Sequence, residues 1–255
     1  MKPALIVTDL DGTLLEPNGR YRPEVLQALS KLKEAGVPVV PVTSKTASEV
    51  RELLHALGLS GPAGVENGAE LLRGEGTTEL SPGAIPYPQL LEEAYELRKR
   101  SGVQLRTLPE LSDSELQALT GLFRAKLEAV RARTATCPLV VAPEADRTLT
   151  PLLPQGLQLV RGNRFLHLQG LHTKASVLPA IRQALGVFSG PVLAFGDAPN
   201  DLELLAAADL RVIVPREEGP NRELLAAVPE AYLAPLPHGR GWAKAIEALV
   251  SEAQR

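Results

Sequence analysis

The sequence is poor in cysteine, the residue that forms disulfide bonds and metal-thiolate clusters. It has one cysteine, Cys137, in 255 residues, which excludes an intrachain disulfide and a thiolate metal cluster. It also has no excess of positive charge, since 27 Lys and Arg residues stand against 30 Asp and Glu residues, a formal net charge of −3. Proteins that neutralise many nucleic-acid phosphates are basic, so we expect no nucleic-acid partner.

Long apolar runs are missing as well. No run approaches the roughly 20 residues that cross a bilayer, and the first strand-like run begins at residue 4 without the features of a signal peptide. We therefore expect a cytoplasmic protein with no membrane partner. The composition, 44% hydrophobic and 22% charged, is that of a globular chain. Its length allows one large domain or a core carrying a smaller domain.

Short apolar runs alternate with amphipathic stretches over most of the chain. This alternation is typical of βαβ units and predicts an α/β fold, with a doubly wound, mostly parallel sheet in a Rossmann-like core. The predicted core strands cover residues 4–8, 37–42, 63–65, 192–195 and 210–214. The predicted core helices cover residues 23–35, 48–57, 173–185, 199–207, 220–227 and 240–253.

Between residues 82 and 161 the pattern changes to helices at about 87–100, 112–120 and 121–132, followed by a strand at 138–142. We interpret this segment as an inserted α+β domain. Prolines near residue 82 and the turn at 161–164 are suitable joints. The sequence thus predicts a core of residues 1–81 plus 162–255, with residues 82–161 inserted.

Two carboxylates two residues apart follow the first predicted strand. Asp9 and Asp11 come directly after the predicted strand 4–8, whose residues 4–7 are apolar, in the sequence Asp-Leu-Asp-Gly-Thr, and Gly12 permits a sharp turn there. In proteins with open parallel sheets, ligands bind at the carboxyl ends of the strands. Paired carboxylates repel each other unless they share a cation, and hard oxygen ligands favour Mg²⁺. The alternative interpretation is an acidic loop or helix cap.

Further polar groups follow later strands. Thr43 and Ser44 follow the second strand, Lys174 begins a helix, and Gly-Asp-Ala-Pro-Asn-Asp at 196–201 follows the strand 192–195. Asp197 and Asp201 can flank the same cation. Carboxylates, a cation, hydroxyl donors and an ammonium group are what phosphoryl transfer requires.

These four segments, in this order, resemble the motifs of the haloacid dehalogenase-like phosphatases. The resemblance implies that Asp9 is the nucleophile, that Asp11 is the general acid and base, and that Thr43 and Lys174 hold the phosphoryl oxygens. It also implies that the inserted domain is a cap. The implied Mg²⁺ ligands are Asp9, Asp11 through its carbonyl group, and Asp197, with Asp201 behind them.

The segments Thr43-Ser44-Lys45-Thr46, Glu66-Asn67-Gly68 and 164–174 are similar to the mannosyl-3-phosphoglycerate phosphatase family. This resemblance implies a phosphorylated glycoside substrate, with release of the compatible solute mannosylglycerate. Because such a substrate also carries a carboxylate, a second cationic group would be useful, and Lys45, Arg131 or Arg133 could supply it. The complete set of predicted substrate-binding residues is Ser44, Lys45, Glu66, Asn67, Arg131, Arg133 and Asn200.

Two alternatives stay open at the level of sequence. The same chemistry could act on glucosyl-3-phosphoglycerate or another sugar phosphate. A phospho-accepting signalling module also clusters aspartates and a lysine, but such domains have about half this length and no large insertion. We expect a monomer or a homodimer.

Overall fold

The computed structural model describes residues 2–74, 76–162 and 164–251. Residue 163 of the predicted joint and the end of the predicted helix 240–253 lie outside these residues. The strands are β1 (Leu5–Thr8), β2 (Val39–Pro41), β3 (Ala63–Val65), β4 (Glu70–Leu72), β5 (Thr78–Leu80), β6 (Arg106–Thr107), β7 (Thr136–Val140), β8 (Leu157–Arg161), β9 (Leu166–Gly170), β10 (Val192–Gly196), β11 (Leu210–Ile213) and β12 (Tyr232–Leu233). The helices are α1 (Pro23–Glu34), α2 (Ala47–Ala56), α3 (Tyr87–Ser101), α4 (Asp113–Thr120), α5 (Ala125–Arg131), α6 (Ala145–Leu149), α7 (Leu178–Leu185), α8 (Leu202–Ala206), α9 (Arg222–Ala227) and α10 (His238–Ser251).

The main sheet has the strand order β12-β11-β10-β1-β2, and every neighbouring pair is parallel. Successive side chains of β1 point to opposite faces, as in any strand. Ile6 packs in a cluster with α1 and α10 on one face, whereas Val7 packs with α7 and α8 on the other. Both faces are therefore covered, which confirms the predicted doubly wound α/β core.

The parallel strands bring distant segments together at one edge of the sheet. β1 ends next to Asp9, β10 ends next to Asp197, and the Asp9 amide donates to the Phe195 carbonyl at 3.0 Å. The chain after β2 is held beside them, because the Val42 amide donates to the Thr8 carbonyl at 2.8 Å. The predicted polar segments consequently meet at the carboxyl edge of the sheet.

The inserted segment forms its own antiparallel sheet, in the order β6-β7-β9-β8. Helix α3 packs against this sheet through Leu90, Ala94 and Leu97. The predicted helix at 121–132 is shorter than expected, because Gly121 ends α4 in a left-handed conformation and α5 begins only at Ala125. Cys137 is buried in β7, and burial raises the pKa of its thiol to about 12.

The predicted end of the insertion, residue 161, is the last residue of β8. β9 (Leu166–Gly170) pairs with β7 on one side and with β8 on the other, so it lies inside the inserted sheet. The sequence prediction missed β8 and β9 because their polar and apolar residues do not form the uninterrupted apolar runs of the core strands. We propose that the insertion extends to Gly170. Among the residues that the structure describes, no helix is both long and apolar enough to cross a bilayer.

Candidate active site

Lys174 lies between two carboxylates at the edge of the main sheet. Its Nζ is 2.6 Å from Asp9 Oδ1 and 2.5 Å from Asp201 Oδ1. All three side chains are buried: Lys174 is 1% exposed, Asp9 5% and Asp201 0%. The other oxygen of Asp201 accepts hydrogen bonds from the Asp197 and Ala198 amides, both at 3.0 Å. Asp201 is thus held in place by the Lys174 ammonium group and by two backbone amides.

Asp197 connects this cluster to the turn that follows β1. Its Oδ1 accepts from the Thr13 hydroxyl at 2.8 Å, and its Oδ2 accepts from Arg216 Nε at 2.7 Å. The turn approaches so closely that a Cβ on Gly12 would lie 2.5 Å from Asp197 Oδ2, and Gly12 has a φ of +93°. Only glycine fits this close approach and this backbone conformation.

Burial dominates the electrostatics of the cluster. It raises the pKa of Asp9 well above the usual value, the Lys174 ammonium lowers it in part, and Asp201 and Asp197 raise it further. Burial and the charge of Asp201 raise the pKa of Asp197 to about 6, although Arg216 and Thr13 oppose this rise. The two carboxylates raise the pKa of Lys174 above its usual value despite the opposing effect of burial. A cluster in this state is stabilised by additional positive charge.

The cluster has the donors of a cation site. Asp9, Asp197 and Asp201 each offer a carboxylate oxygen, and these atoms lie within 4.8 Å of one another. All three donors are hard oxygen atoms, the ligand type that Mg²⁺ prefers. Both oxygens of Asp201 accept from Lys174 and backbone amides, and both oxygens of Asp197 accept from Thr13 and Arg216, so an ion bound here would share or replace some of these donors.

Asp11 faces away from this cluster and toward the open space beside it. Its Oδ2 lies 2.7 Å from Lys45 Nζ, and the Asp11 side chain is 29% exposed. Burial lowers the pKa of Lys45, but Asp11 and Glu49 raise it by more, so the net pKa is above the usual value. Asp9 and Asp11, two residues apart, therefore have different environments: one buried, the other accessible.

Thr43 and Ser44 are fixed by their backbone. The Thr43 amide donates to the Gly64 carbonyl at 3.0 Å, and the Lys45 amide donates to Thr43 Oγ1 at 3.3 Å. Thr46 then begins α2 with a capping box, its Oγ1 accepting from the Glu49 amide at 3.1 Å. The predicted hydroxyl-bearing segment is consequently a rigid entry into a helix.

A cavity of about 350 Å³ opens over Asp11. Core residues such as Ser44 and Lys45 form one side, and residues of the inserted domain, among them Arg133 and Phe165, form the other. Its polar and charged lining residues are Asp11, Glu16, Ser44, Lys45, Glu49, Thr120, Arg133, Arg164, His167, Arg216, Glu217, Glu218 and His238. The cavity therefore lies where the two parts of the chain meet.

Arg131 and Arg133, both predicted to bind substrate, lie in different places. Arg133 lines the cavity, and its Nη1 donates to the Ser44 carbonyl at 2.7 Å. Arg131 instead donates to the carbonyls of Leu108 and Leu111 at 2.6 Å and 3.0 Å and pairs with Asp113. The Arg131 guanidinium therefore joins loops within the inserted domain, outside the lining of this cavity, and its contact with substrate stays a prediction.

Glu66 is also engaged elsewhere. Its carboxylate accepts from the amide and hydroxyl of Thr134, both at 2.8 Å, from the Ala135 amide at 3.2 Å, and from the Thr136 hydroxyl at 2.6 Å. The side chain is 1% exposed. Glu66 therefore holds the segment 134–136 of the inserted domain against the core, and its contact with substrate stays a prediction.

Asn67 and Asn200 belong to one buried network. The Asn67 amide group donates to Gln169 Oε1 at 3.0 Å, and its carbonyl oxygen accepts from Asn200 Nδ2 at 3.2 Å. Both polar ends of Asn67 are thus bound within the protein, and its contact with substrate stays a prediction. For Asn200, 9% exposed, a substrate contact stays a prediction.

The cavity residues that were not predicted from the sequence include Arg164, Arg216 and His238. Arg216 follows β11 at the same edge of the sheet, so the rule that found Asp9 and Asp197 could also have found it. Arg164 lies in the turn between β8 and β9, two strands that were not predicted. His238 has no local sequence signal, since its position depends on packing between α10 and the turn after β1.

Comparison with known families agrees with this architecture. The profile described as haloacid dehalogenase-like hydrolase matches residues 6–105 and 168–217, which is more than half of the chain. The chain belongs to this family of hydrolases. The unmatched residues between the two segments lie within the inserted antiparallel domain.

Solved structures with the same fold cover nearly the whole chain. BT1666, a haloalkanoate-superfamily phosphatase from Bacteroides thetaiotaomicron, has 21% identity and a TM-score of 0.75 over 97% of this chain and 95% of its own. The subclass IIB sugar phosphatase BT4131 has 19% identity and a TM-score of 0.75 over 97% and 98%. TM0651 from Thermotoga maritima has 19% identity and a TM-score of 0.72 over 98% of both chains. At this level of identity the likeness shows the fold, with its inserted domain.

Proposed function

We propose that this chain is a Mg²⁺-dependent phosphatase that hydrolyses mannosyl-3-phosphoglycerate to mannosylglycerate and phosphate through an aspartyl phosphate. The observation that carries the proposal is the convergence of Asp9, Lys174 and Asp197 next to the turn whose Asp11 lines the cavity. A buried carboxylate beside an ammonium group, with an accessible carboxylate two residues away, is the arrangement that a two-step phosphoryl transfer needs.

In the first step, a carboxylate oxygen of Asp9 attacks phosphorus and the bond between phosphorus and the substrate oxygen breaks. Asp11 donates a proton to that leaving oxygen. In the second step, water attacks the phosphorus of the aspartyl phosphate, Asp11 accepts the proton from the water, and the Asp9 carboxylate is released. The accessible position of Asp11 beside the cavity supports this role, because a general acid must reach both the leaving group and solvent.

Other residues hold the transferred group. Thr43 and Lys174 would donate to the phosphoryl oxygens, and Asp9, the carbonyl of Asp11 and Asp197 would bind Mg²⁺, with Asp201 holding Lys174 in place. The ion, when bound, supplies positive charge that offsets the buried carboxylates and the phosphoryl group. The fixed donors would then stabilise the charge that develops during transfer.

The basic residues of the cavity support a substrate with a second anionic group. Lys45 is paired with Asp11, Arg133 lies 3.7 Å from Glu49, and Arg216 is paired with Asp197. Arg164 has no carboxylate partner among the described residues, and its charge lowers the pKa of nearby Lys45 in opposition to Asp11 and Glu49. A carboxylate of the substrate would reduce the repulsion between these two cations.

A substrate panel with free phosphate as the readout tests the proposal. It contains mannosyl-3-phosphoglycerate, glucosyl-3-phosphoglycerate and mannose 6-phosphate, each with Mg²⁺ and with a chelator. We expect kcat/KM for the mannosyl compound to exceed that for the hexose phosphate by about tenfold or more, equal to about 1.4 kcal/mol of discrimination. The chelator should remove activity. Comparable turnover of hexose phosphates would contradict the narrow substrate and favour a general sugar phosphatase.

The same assay separates hydrolysis from signalling. A phospho-accepting module would form one stable aspartyl phosphate per chain and then stop, whereas a phosphatase releases phosphate steadily. The cavity enclosed between core and inserted domain supports the enzymatic alternative, because it provides a site for a substrate larger than phosphate.

A further inference from the structure

His238 contacts the turn that carries Asp11, although 226 residues separate it from Gly12 in sequence. The Nδ1 atom of its ring lies 3.0 Å from the Gly12 carbonyl oxygen. The side chain is 4% exposed, and both residues line the cavity. A carbonyl oxygen only accepts hydrogen bonds, so Nδ1 is the ring nitrogen that carries a proton in this contact.

The backbone of His238 is held in an unfavourable conformation to make this contact. Its φ is +52°, in the left-handed region that favours glycine, and it begins helix α10. Such strain persists where the surrounding structure fixes it, and it is frequent at functional sites. A histidine at a position where glycine would be less strained therefore indicates that the side chain has a role of its own.

The start of α10 packs directly on the turn after β1. A Cβ on Gly239 would lie 2.7 Å from the Leu14 carbonyl oxygen, so the two backbones are in contact there. The His238 amide also donates to the Pro215 carbonyl at 3.1 Å, next to Arg216, which pairs with Asp197. His238 is thus attached to both loops of the candidate site.

We propose that His238 is a positioning residue that fixes the Asp11–Thr13 turn through the Gly12 carbonyl. The inference rests on the proposed phosphatase function. Gly12 stands between Asp11, which faces the cavity, and Thr13, whose hydroxyl binds Asp197. A fixed Gly12 carbonyl therefore sets the orientation of the general acid on one side and supports the cation-binding carboxylate on the other. Small misplacements of such groups reduce turnover strongly.

Three substitutions at His238 distinguish the proposed positioning role from an effect of backbone strain alone. Asparagine tolerates a positive φ and keeps an N–H donor, glycine tolerates the φ without a donor, and alanine provides neither. We expect His238→Asn to keep kcat within about threefold of wild type, because its donor can reach the carbonyl. We expect His238→Gly to fold at least as stably as wild type and to lose about tenfold in kcat, with KM within about twofold. His238→Ala should lose both stability and kcat.

A purely structural role gives a different result. His238→Gly would then have wild-type kcat, and that outcome would overturn the proposal, as would equal loss of kcat in the glycine and asparagine variants. A second measurement does not depend on activity. The ¹⁵N chemical shifts of the His238 ring at pH 8 should show a protonated Nδ1, and a ring protonated at Nε2 alone would also overturn it. If wild type releases no phosphate from any substrate while Nδ1 is protonated, the proposed function fails and the contact itself stands.

Discussion

The Lys174 ammonium bridges two carboxylates that are distant from each other in sequence, with Asp9 Oδ1 at 2.6 Å and Asp201 Oδ1 at 2.5 Å. The first comes from the strand exit after β1 and the second from the turn after β10. Because all three groups are buried, removal of the lysine leaves two carboxylates without their shared partner. The interaction of Lys174 with Asp9 and Asp201 thus stabilises the edge of the sheet and also orders the residues proposed to carry out catalysis.

Lys174→Met tests this relationship. We expect the free energy of unfolding to fall by about 3–5 kcal/mol, the usual result of breaking a buried ion pair from one side. Phosphate release should be lost as well. Lys244→Met is a matched control, since Lys244 forms an exposed pair with Glu247 and should change stability by less than about 0.5 kcal/mol. Urea unfolding of both variants gives the comparison, and equal stability losses would contradict the prediction.

Arg131 and Arg133 provide a second matched pair. Arg133→Ala removes a guanidinium from the cavity wall and from the Ser44 carbonyl, so we expect kcat/KM to fall by about tenfold or more. Arg131→Ala removes only contacts inside the inserted domain, so we expect a loss of about 1–3 kcal/mol in stability with kcat/KM within about threefold. Steady-state kinetics together with urea unfolding distinguish these outcomes. The reverse pattern would support the predicted contact of Arg131 with substrate.

Glu66→Ala should loosen the inserted domain from the core. The substitution leaves four donors in the segment 134–136 without their acceptor, and we expect a stability loss of about 3 kcal/mol. Amide hydrogen exchange in that segment should accelerate before exchange in β1 does. Glu92→Ala, at an exposed position of α3, is the control. Unchanged exchange at 134–136 would show that Glu66 does not fasten the domain.

His167 predicts a pH dependence of stability. Burial, with the charges of Arg133 and Lys174, lowers its pKa to about 3. Below pH 6.5 the unfolded chain protonates this histidine while the native state does not, so stability present above pH 6.5 is lost as pH falls toward 3. Between pH 8 and pH 4.5 His167→Asn should therefore lose less stability than wild type, by about 2.5 kcal/mol. Unfolding curves at both pH values measure this difference, and parallel losses would contradict the assigned neutral state.

The core of the fold could be predicted from sequence because its signals are local. β1 and β10 are uninterrupted apolar runs that end in glycine or acidic residues, and a parallel sheet buried on both faces requires such runs. Asp9, Thr43 and Asp197 could be predicted as site residues because each of them follows the end of such a strand. Within the inserted domain, β8 and β9 mix polar and apolar residues, and their pairing depends on contacts that no local pattern records.

Part of the site could not be predicted for the same reason. Glu66 stands in a turn-forming sequence that is equally compatible with binding substrate, and only the position of Thr134 and Thr136 across the domain boundary shows its actual partners. Arg131 and Arg133 are two residues apart and chemically identical, yet they point to different surroundings at the end of α5. His238 reaches Gly12 only because α10 packs on the turn after β1.

Phosphate release by Asp9→Asn is the decisive measurement for the proposed nucleophile. Asparagine keeps the size of the side chain but cannot form the acyl phosphate, so we expect turnover below about 0.1% of wild type, with the circular dichroism spectrum of wild type retained. Turnover at about a tenth of the wild-type rate or higher would exclude Asp9 as the residue that attacks phosphorus.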